Sequence, residues 1–173
     1  MPVSIRRIRP EERAPLGRLM VEVYAGLDGF PTPREQPAYY TMLAEIGALD
    51  DRDHTEVLVA VDEQGALAGG VVYFSCMGAY GAGGTATQVR AASGIRLLGV
   101  DPRFRGAGIG RALTLACIER ARAAGHREVV LHTTRAMQAA WSMYERLGFQ
   151  RSPDLDFMQQ ALPVYGFRLP LEG

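Results

Sequence analysis

The sequence predicts an α/β fold of the α+β kind, a mixed sheet with helices on its faces. Hydrophobic periodicity switches between the strand and helix patterns in the order β, α, α, β, β, β, α, β, α, β. Two adjacent β-rich runs, 55–61 and 67–74, flank a short turn that contains Gly65, the mark of an antiparallel hairpin. A later apolar strand runs through a glycine-rich turn directly into a helix. At 173 residues with 47% apolar content, the chain can bury one good core and is too short for two ordinary domains. A single domain over 1–173 is expected.

Val3, Ile5 and Ile8 suit a short strand within Val3–Arg9, which Pro10 ends. From there Leu16, Leu19, Met20, Val23, Tyr24 and Leu27 recur at the spacing of one helix face, with Glu11 and Glu12 at its positive end. Asp28-Gly29-Phe30-Pro31-Thr32-Pro33 breaks that helix. Tyr39, Tyr40, Met42, Leu43 and Ile46 predict a second, shorter helix, closed by the charged stretch Asp50–Asp53. Strands follow over Thr55–Val61 and Leu67–Phe74, joined by Asp62-Glu63-Gln64-Gly65. Cys76 to Ser93 is Gly/Ala/Thr-rich around Gly78-Ala79-Tyr80-Gly81-Ala82-Gly83-Gly84 and has no periodicity, so a mobile loop is expected. Ile95–Val100 is a short apolar strand, followed by the turn Asp101-Pro102. Ile109, Leu113, Ala116, Cys117 and Arg120 share one face of a helix ending near Gly125. Glu128–Thr133 is another strand. Met137, Ala140, Trp141, Tyr144 and Leu147 stripe a further helix that Gly148 stops, and Tyr165–Leu169 forms the last strand.

Nineteen basic residues offset nineteen acidic ones, so no net field gathers nucleic acid or anionic membrane, and neither is expected as a partner. Cys76 and Cys117 lack CxxC or Cys/His spacing, which argues against a zinc site and a disulfide framework. No apolar run resembles a signal peptide, and none approaches the roughly 18 residues that cross a bilayer. A soluble, cytoplasmic protein is expected.

The segment Val100-Asp101-Pro102-Arg103-Phe104-Arg105-Gly106-Ala107-Gly108-Ile109-Gly110-Arg111 lies between a strand and a helix. Successive backbone amides there can point into one concavity that suits phosphate oxygens, with Arg105 or Arg111 and the helix dipole offsetting the negative charge. A Walker loop needs a lysine and a hydroxyl after its last glycine, but Arg111 and Ala112 follow Gly110. A dinucleotide fingerprint needs glycine at 111 and more βα units than this chain has.

What remains closely resembles the acyl-CoA signature R-x-x-G-x-G of the GNAT superfamily of N-acetyltransferases, matched by Arg105, Gly108 and Gly110. Further along, Ala139-Ala140-Trp141-Ser142-Met143-Tyr144-Glu145-Arg146-Leu147-Gly148-Phe149 is similar to that family's A-x-x-x-Y-x-x-x-G-F helix and following strand. The resemblance covers 96–149 well and the first 75 residues by element order. It implies a mixed, mostly antiparallel central sheet with helices on both faces, and acetyl-CoA as co-substrate without a metal. Leu98, Gly99, Val100, Arg105, Gly106, Ala107, Gly108, Ile109, Gly110 and Arg111 would hold the cofactor. Main-chain groups of Leu98 and Val100 would meet the pantetheine arm, and an amide near Leu98 or Gly99 the oxyanion. Tyr144 would protonate the departing thiolate.

The family often places a glutamate on the strand before the loop as base, but Gly94-Ile95-Arg96-Leu97-Leu98 contains no carboxylate. His132 has a suitable ordinary pKa, yet a strand histidine is more often a satisfied core group, and no base is assigned. The acceptor would be a small-molecule or protein amine, and a homodimer is among the assemblies the resemblance allows. Acceptor specificity would lie in 27–32, 77–93 and 153–164, where Tyr24, Asp28, Tyr39, Tyr40 and Arg90 can hydrogen-bond but look like ordinary surface residues. A non-catalytic acyl-CoA-binding module is the alternative reading.

Overall fold

A computed structural model of the chain describes residues 2–81 and 83–172. Met1 and Gly173 at the ends of the expected domain, and Ala82 within the expected loop, lie outside the described residues. Among the described residues the strands are β1 (Ser4–Arg7), β2 (Thr55–Val61), β3 (Leu67–Phe74), β4 (Ala92–Val100), β5 (Glu128–Thr133), β6 (Gln150–Arg151), β7 (Phe157–Gln159) and β8 (Leu162–Pro170). They run in the order β1-β2-β3-β4-β5-β8-β6, with β7 paired to β8. Every pairing is antiparallel except β4 with β5.

β2 and β3 read as nearly unbroken apolar runs because both of their faces are covered. On one face lie α1 (Arg13–Ala25) and α2 (Pro37–Ala44), on the other α3 (Ile109–Ala123) and α4 (Gln138–Arg146). Val57, Val59, Val72 and Phe74 meet Leu16, Met20 and Tyr24, while Leu58, Ala60, Val71 and Tyr73 meet Ile109, Leu113, Cys117 and Trp141. The two-residue period of the strands thus divides one sheet between two cores. At the crossing of α1 and α2, a Cβ on Gly17 would lie 2.0 Å from the carbonyl oxygen of Ala44, so the two backbones touch where no side chain fits.

The structure corrects the sequence reading in two places. Residues 76–81 and 83–93 are anchored rather than mobile: short 3₁₀ turns form at Met77–Ala79 and Ala86–Gln88, and Met77, Tyr80 and Ala86 are buried. Tyr80 packs edge-on against Phe74 at 5.6 Å, and Gly94 leaves room for its ring. The room at Gly94 and the bond of the Tyr80 hydroxyl to His132 come from residues distant in sequence, so local composition could not show them. At the C-terminal end β6, β7 and a longer β8 replace the one expected strand. Strands of two and three residues are too short to carry a period.

Candidate active site

β4 and β5 pair in parallel only from Ala92 opposite Glu128 to Ile95 opposite Leu131, and then separate. The cause is local. Between the pairs Val72–Arg96 and Gly70–Gly99, Val71 of β3 faces two residues of β4, Leu97 and Leu98. This is a β-bulge with Leu97 at φ 60°, a backbone that costs a non-glycine residue about 1–3 kcal/mol. The surroundings hold it: the side chain of Leu97 is buried in the core, and Tyr24 Oη donates to the Leu98 carbonyl at 2.8 Å. Gly99 lies under α1, where a Cβ would come within 2.4 Å of the Met20 sulfur.

The cavity opened by this divergence is lined by Tyr24, Tyr39, Arg96, His132, Thr134 and Tyr144, and roofed by Phe30 from the α1–α2 connection and Phe157 from β7. Tyr144 is buried on α4 with its ring edge-on to Phe149 at 5.7 Å. Among the described residues its hydroxyl has no hydrogen-bond partner. Burial pushes its pKa well above the ordinary phenol value, so it is protonated at neutral pH.

The glycine loop adjoins the cavity. A Cβ on Gly110 would meet Val100 at 3.6 Å, and Leu98 and Met143 at 3.8 Å, which joins the start of α3 to the cavity wall. Asp101 is buried and accepts from the backbone amide of Arg103 at 2.9 Å and from its guanidinium at 2.7 Å. That hydrogen bonding holds the Asp101 carboxyl below its usual range and pins the turn. Gly106 and Gly108 follow at φ 81° and 76°, a backbone that only glycine adopts freely, with open space where a Cβ would stand. The helical bonding of α3 begins with Ala112 N–H donating to Gly108 O at 2.9 Å. The amides of Ile109, Gly110 and Arg111 are therefore the helix's first, without intrahelical acceptors. Amides of Arg105 and Ala107 are spent on the carbonyls of Pro102 and Phe104 at 3.3 and 3.4 Å. Arg105 and Arg111 are exposed, and among the described residues neither is ion-paired. The side chain of Ile109 is core, leaving only its backbone for a ligand.

His132 is engaged on both ring nitrogens. Nε2 faces the Leu155 carbonyl at 2.8 Å and must donate to it, so Nδ1 accepts from the Tyr80 hydroxyl at 2.8 Å. Burial lowers its pKa, leaving a neutral imidazole with no lone pair to spare. Of the expected acceptor residues, Tyr24 and Tyr39 line the cavity, whereas the Tyr40 hydroxyl donates to the Pro31 carbonyl at 2.6 Å, and Asp28 and Arg90 are exposed residues outside the lining. Sequence reasoning missed Arg96 and Thr134, and named the segments that hold Phe30 and Phe157 without singling out either residue. Only Arg96 had a signal, as the one charge in an apolar strand. Among the described residues no group of three or more His, Cys, Asp or Glu could hold a metal, and no helix is long and apolar enough to cross a membrane.

The splayed strands, the glycine-loop helix start and the buried phenol all fall within or beside residues 20–149, which match the family model described as the acetyltransferase (GNAT) family. The chain belongs to that family. It is 47% identical over 57 residues, 33% of this chain and 19% of the relative, to a mycothiol acetyltransferase from Thermobispora bispora. A mycothiol acetyltransferase from Nocardiopsis dassonvillei is 37% identical over 106 residues, 58% of this chain and 32% of the relative. The chain thus spans a third or less of the curated relatives it matches. Among solved structures, PaiA N-acetyltransferase from Thermoplasma acidophilum in complex with coenzyme A has a TM-score of 0.73 at 15% identity, covering 96% of this chain and 98% of that one.

Proposed function

We propose that the protein transfers an acetyl group directly from acetyl-CoA to a primary amine, of a small molecule or exposed on a protein. The observation that carries this reading is Tyr144: a buried, protonated phenol without a partner among the described residues, facing a cavity that adjoins the first amides of α3. The loop suits the pyrophosphate of CoA, since Gly106 and Gly108 leave the space a side chain would fill, and the first amides of α3 with Arg105 and Arg111 complement its charge. The relatives named as acetyltransferases, and the neighbour solved with coenzyme A, support the donor. Along the cleft the pantetheine arm would run beside Leu98, Gly99 and Val100, with an amide near Leu98 or Gly99 facing the developing oxyanion. Tyr144 would give its proton to the departing sulfur.

A non-catalytic acyl-CoA-binding module is the second reading, favoured by one observation: the cavity has no carboxylate, and its histidine is fully engaged. If amines reach the cavity neutral, positioning supplies the rate without a base. A screen of amines with acetyl-CoA, reading thiol release, separates the two, because only an enzyme shows acceptor-dependent turnover. CoA at a hundredfold its Kd should also stabilise the fold by about 2.7 kcal/mol, with ATP and NAD doing far less. A larger melting shift from NAD than from CoA would overturn both readings.

A further inference from the structure

Arg96 brings into the cavity a positive charge that acetyl transfer itself does not require. It is half-buried, and one guanidinium nitrogen donates to the Tyr80 carbonyl at 3.1 Å. Among the described residues no carboxylate lies within ion-pair distance of it. The lining of the cavity contains no Asp or Glu. A guanidinium has five N–H donors in a planar fork, and most of this fork is unspent. A second observation points the same way: Thr134 lines the same cavity, is 4% exposed, and its buried hydroxyl has no hydrogen-bond partner among the described residues. Buried polar groups are ordinarily satisfied, so an orphaned hydroxyl in the same cavity as an unpaired guanidinium indicates a ligand that supplies acceptors. An acceptor carrying only positive charge would be repelled here. Phe30, Met137, Phe157, Leu162 and Val164 supply apolar surface for the body of such a ligand, beside the rings of Tyr24 and Tyr39.

We infer that the acceptor is a small amino carboxylate with an apolar body, such as an apolar amino acid, whose carboxylate is bound by Arg96. A planar carboxylate matches the fork of a guanidinium in two parallel hydrogen bonds, which a single amide carbonyl cannot do. This inference rests on the acetyl-transfer reading of the same site. It makes Arg96 a specificity residue, distinct from the phenol that acts on the leaving sulfur.

The test measures acetyl-CoA-dependent thiol release with matched amines: L-phenylalanine against L-phenylalaninamide, L-leucine against L-leucinamide, with spermidine and phosphoethanolamine alongside. The acids should exceed their amides by about ten- to a hundredfold in kcat/KM, the discrimination that hydrogen bonds to a charged group provide. Arg96→Met should collapse that ratio through KM while acetyl-CoA affinity is kept, and Arg96→Lys should restore part of it. Isothermal titration of the CoA-bound wild-type protein should show N-acetyl-L-phenylalanine binding more tightly than its amide by a similar factor, so the inference also stands on a protein with no substitution. Equal rates for acid and amide, a ratio unchanged in a folded Arg96→Met protein, or spermidine or phosphoethanolamine as the best acceptor would overturn it while acetyl transfer stood. No turnover with any amine by a protein that binds acetyl-CoA would remove the acetyl-transfer reading and this inference together.

Discussion

At the scale of single residues, Tyr144 and Gly110 separate chemistry from packing. Tyr144→Phe keeps the ring that meets Phe149 and removes only a hydroxyl that has no partner among the described residues, so stability and acetyl-CoA affinity should hardly change. General acid catalysis contributes about a hundred- to ten-thousandfold, and kcat should fall by that order on whichever amine turns over. Wild-type kcat at every pH in a folded Tyr144→Phe protein would leave positioning as the source of rate. Gly110 poses the complementary question. A Cβ there meets only ordinary van der Waals neighbours, at 3.6 Å or more, and the position is helical, so Gly110→Ala should fold as well as or better than wild type. If the glycine serves ligand approach, isothermal titration should show CoA affinity reduced about tenfold or more, by an amount worth one hydrogen bond to a charged group. Undiminished affinity would mean that the phosphates do not pass over this turn. Gly108→Val is a less clean probe than its place in the motif suggests, because φ 76° already strains any β-branched residue.

Between elements, the tightest contact beside the site is the crossing of α1 with α2. Gly17→Ala would place a Cβ 2.0 Å from the Ala44 carbonyl oxygen and 2.8 Å from its carbon, and backbone atoms cannot turn aside as a side chain can. The helices must part, at a cost of about 1–3 kcal/mol. α1 also carries Tyr24, whose hydroxyl holds the Leu98 carbonyl beside the bulge, so the same substitution should reduce turnover as well as melting temperature. Unchanged melting by calorimetry would show that the crossing is looser than the geometry indicates. This contact also marks how far the sequence can be read. The stripe Leu16, Met20 and Tyr24 announces α1, and the hairpin turn at Gly65 bounds β2 and β3 correctly, because each pattern is local. The glycine loop and the Tyr144 helix were legible for the same reason. The bulge at Leu97, the anchoring of Tyr80 and the arrival of Phe157 over the cavity were not. Each depends on partners distant in sequence, and the glycines that admit Tyr80 read locally as flexibility.

For the whole molecule, two cores on one sheet bury more groups that ionise in base than groups that ionise near neutrality. Tyr24, Tyr80 and Tyr144 are held protonated by burial, as is the thiol of Cys117, pushed up to about 12, and Tyr39 is likewise raised to about 12. In the unfolded chain the thiol ionises near 9.0 and the phenols near 10.0. Above those values the unfolded state has lost protons that the folded state retains, so stability falls as pH rises. Each such group removes about 1.4 kcal/mol per pH unit, and four fully buried ones acting together would erase a typical stability of about 5–15 kcal/mol within one to three units above pH 10. His132 works in the opposite direction: its lowered pKa means that stability is lost as pH falls below about 6.5, but one half-buried imidazole gives a shallower slope. The melting temperature should therefore be level from about pH 7 to 9, decline gently just below that until lowered carboxyls such as Asp101 begin to protonate, and drop steeply on the alkaline side. Tyrosinate absorbance should show Tyr24, Tyr39, Tyr80 and Tyr144 ionising only as the near-ultraviolet signal of Trp141 is lost. If these four ionised near pH 10 in a protein with an unchanged melting temperature, the phenols would be reached by water in the folded state. Tyr144 would then lack the dry surroundings that keep it an acid.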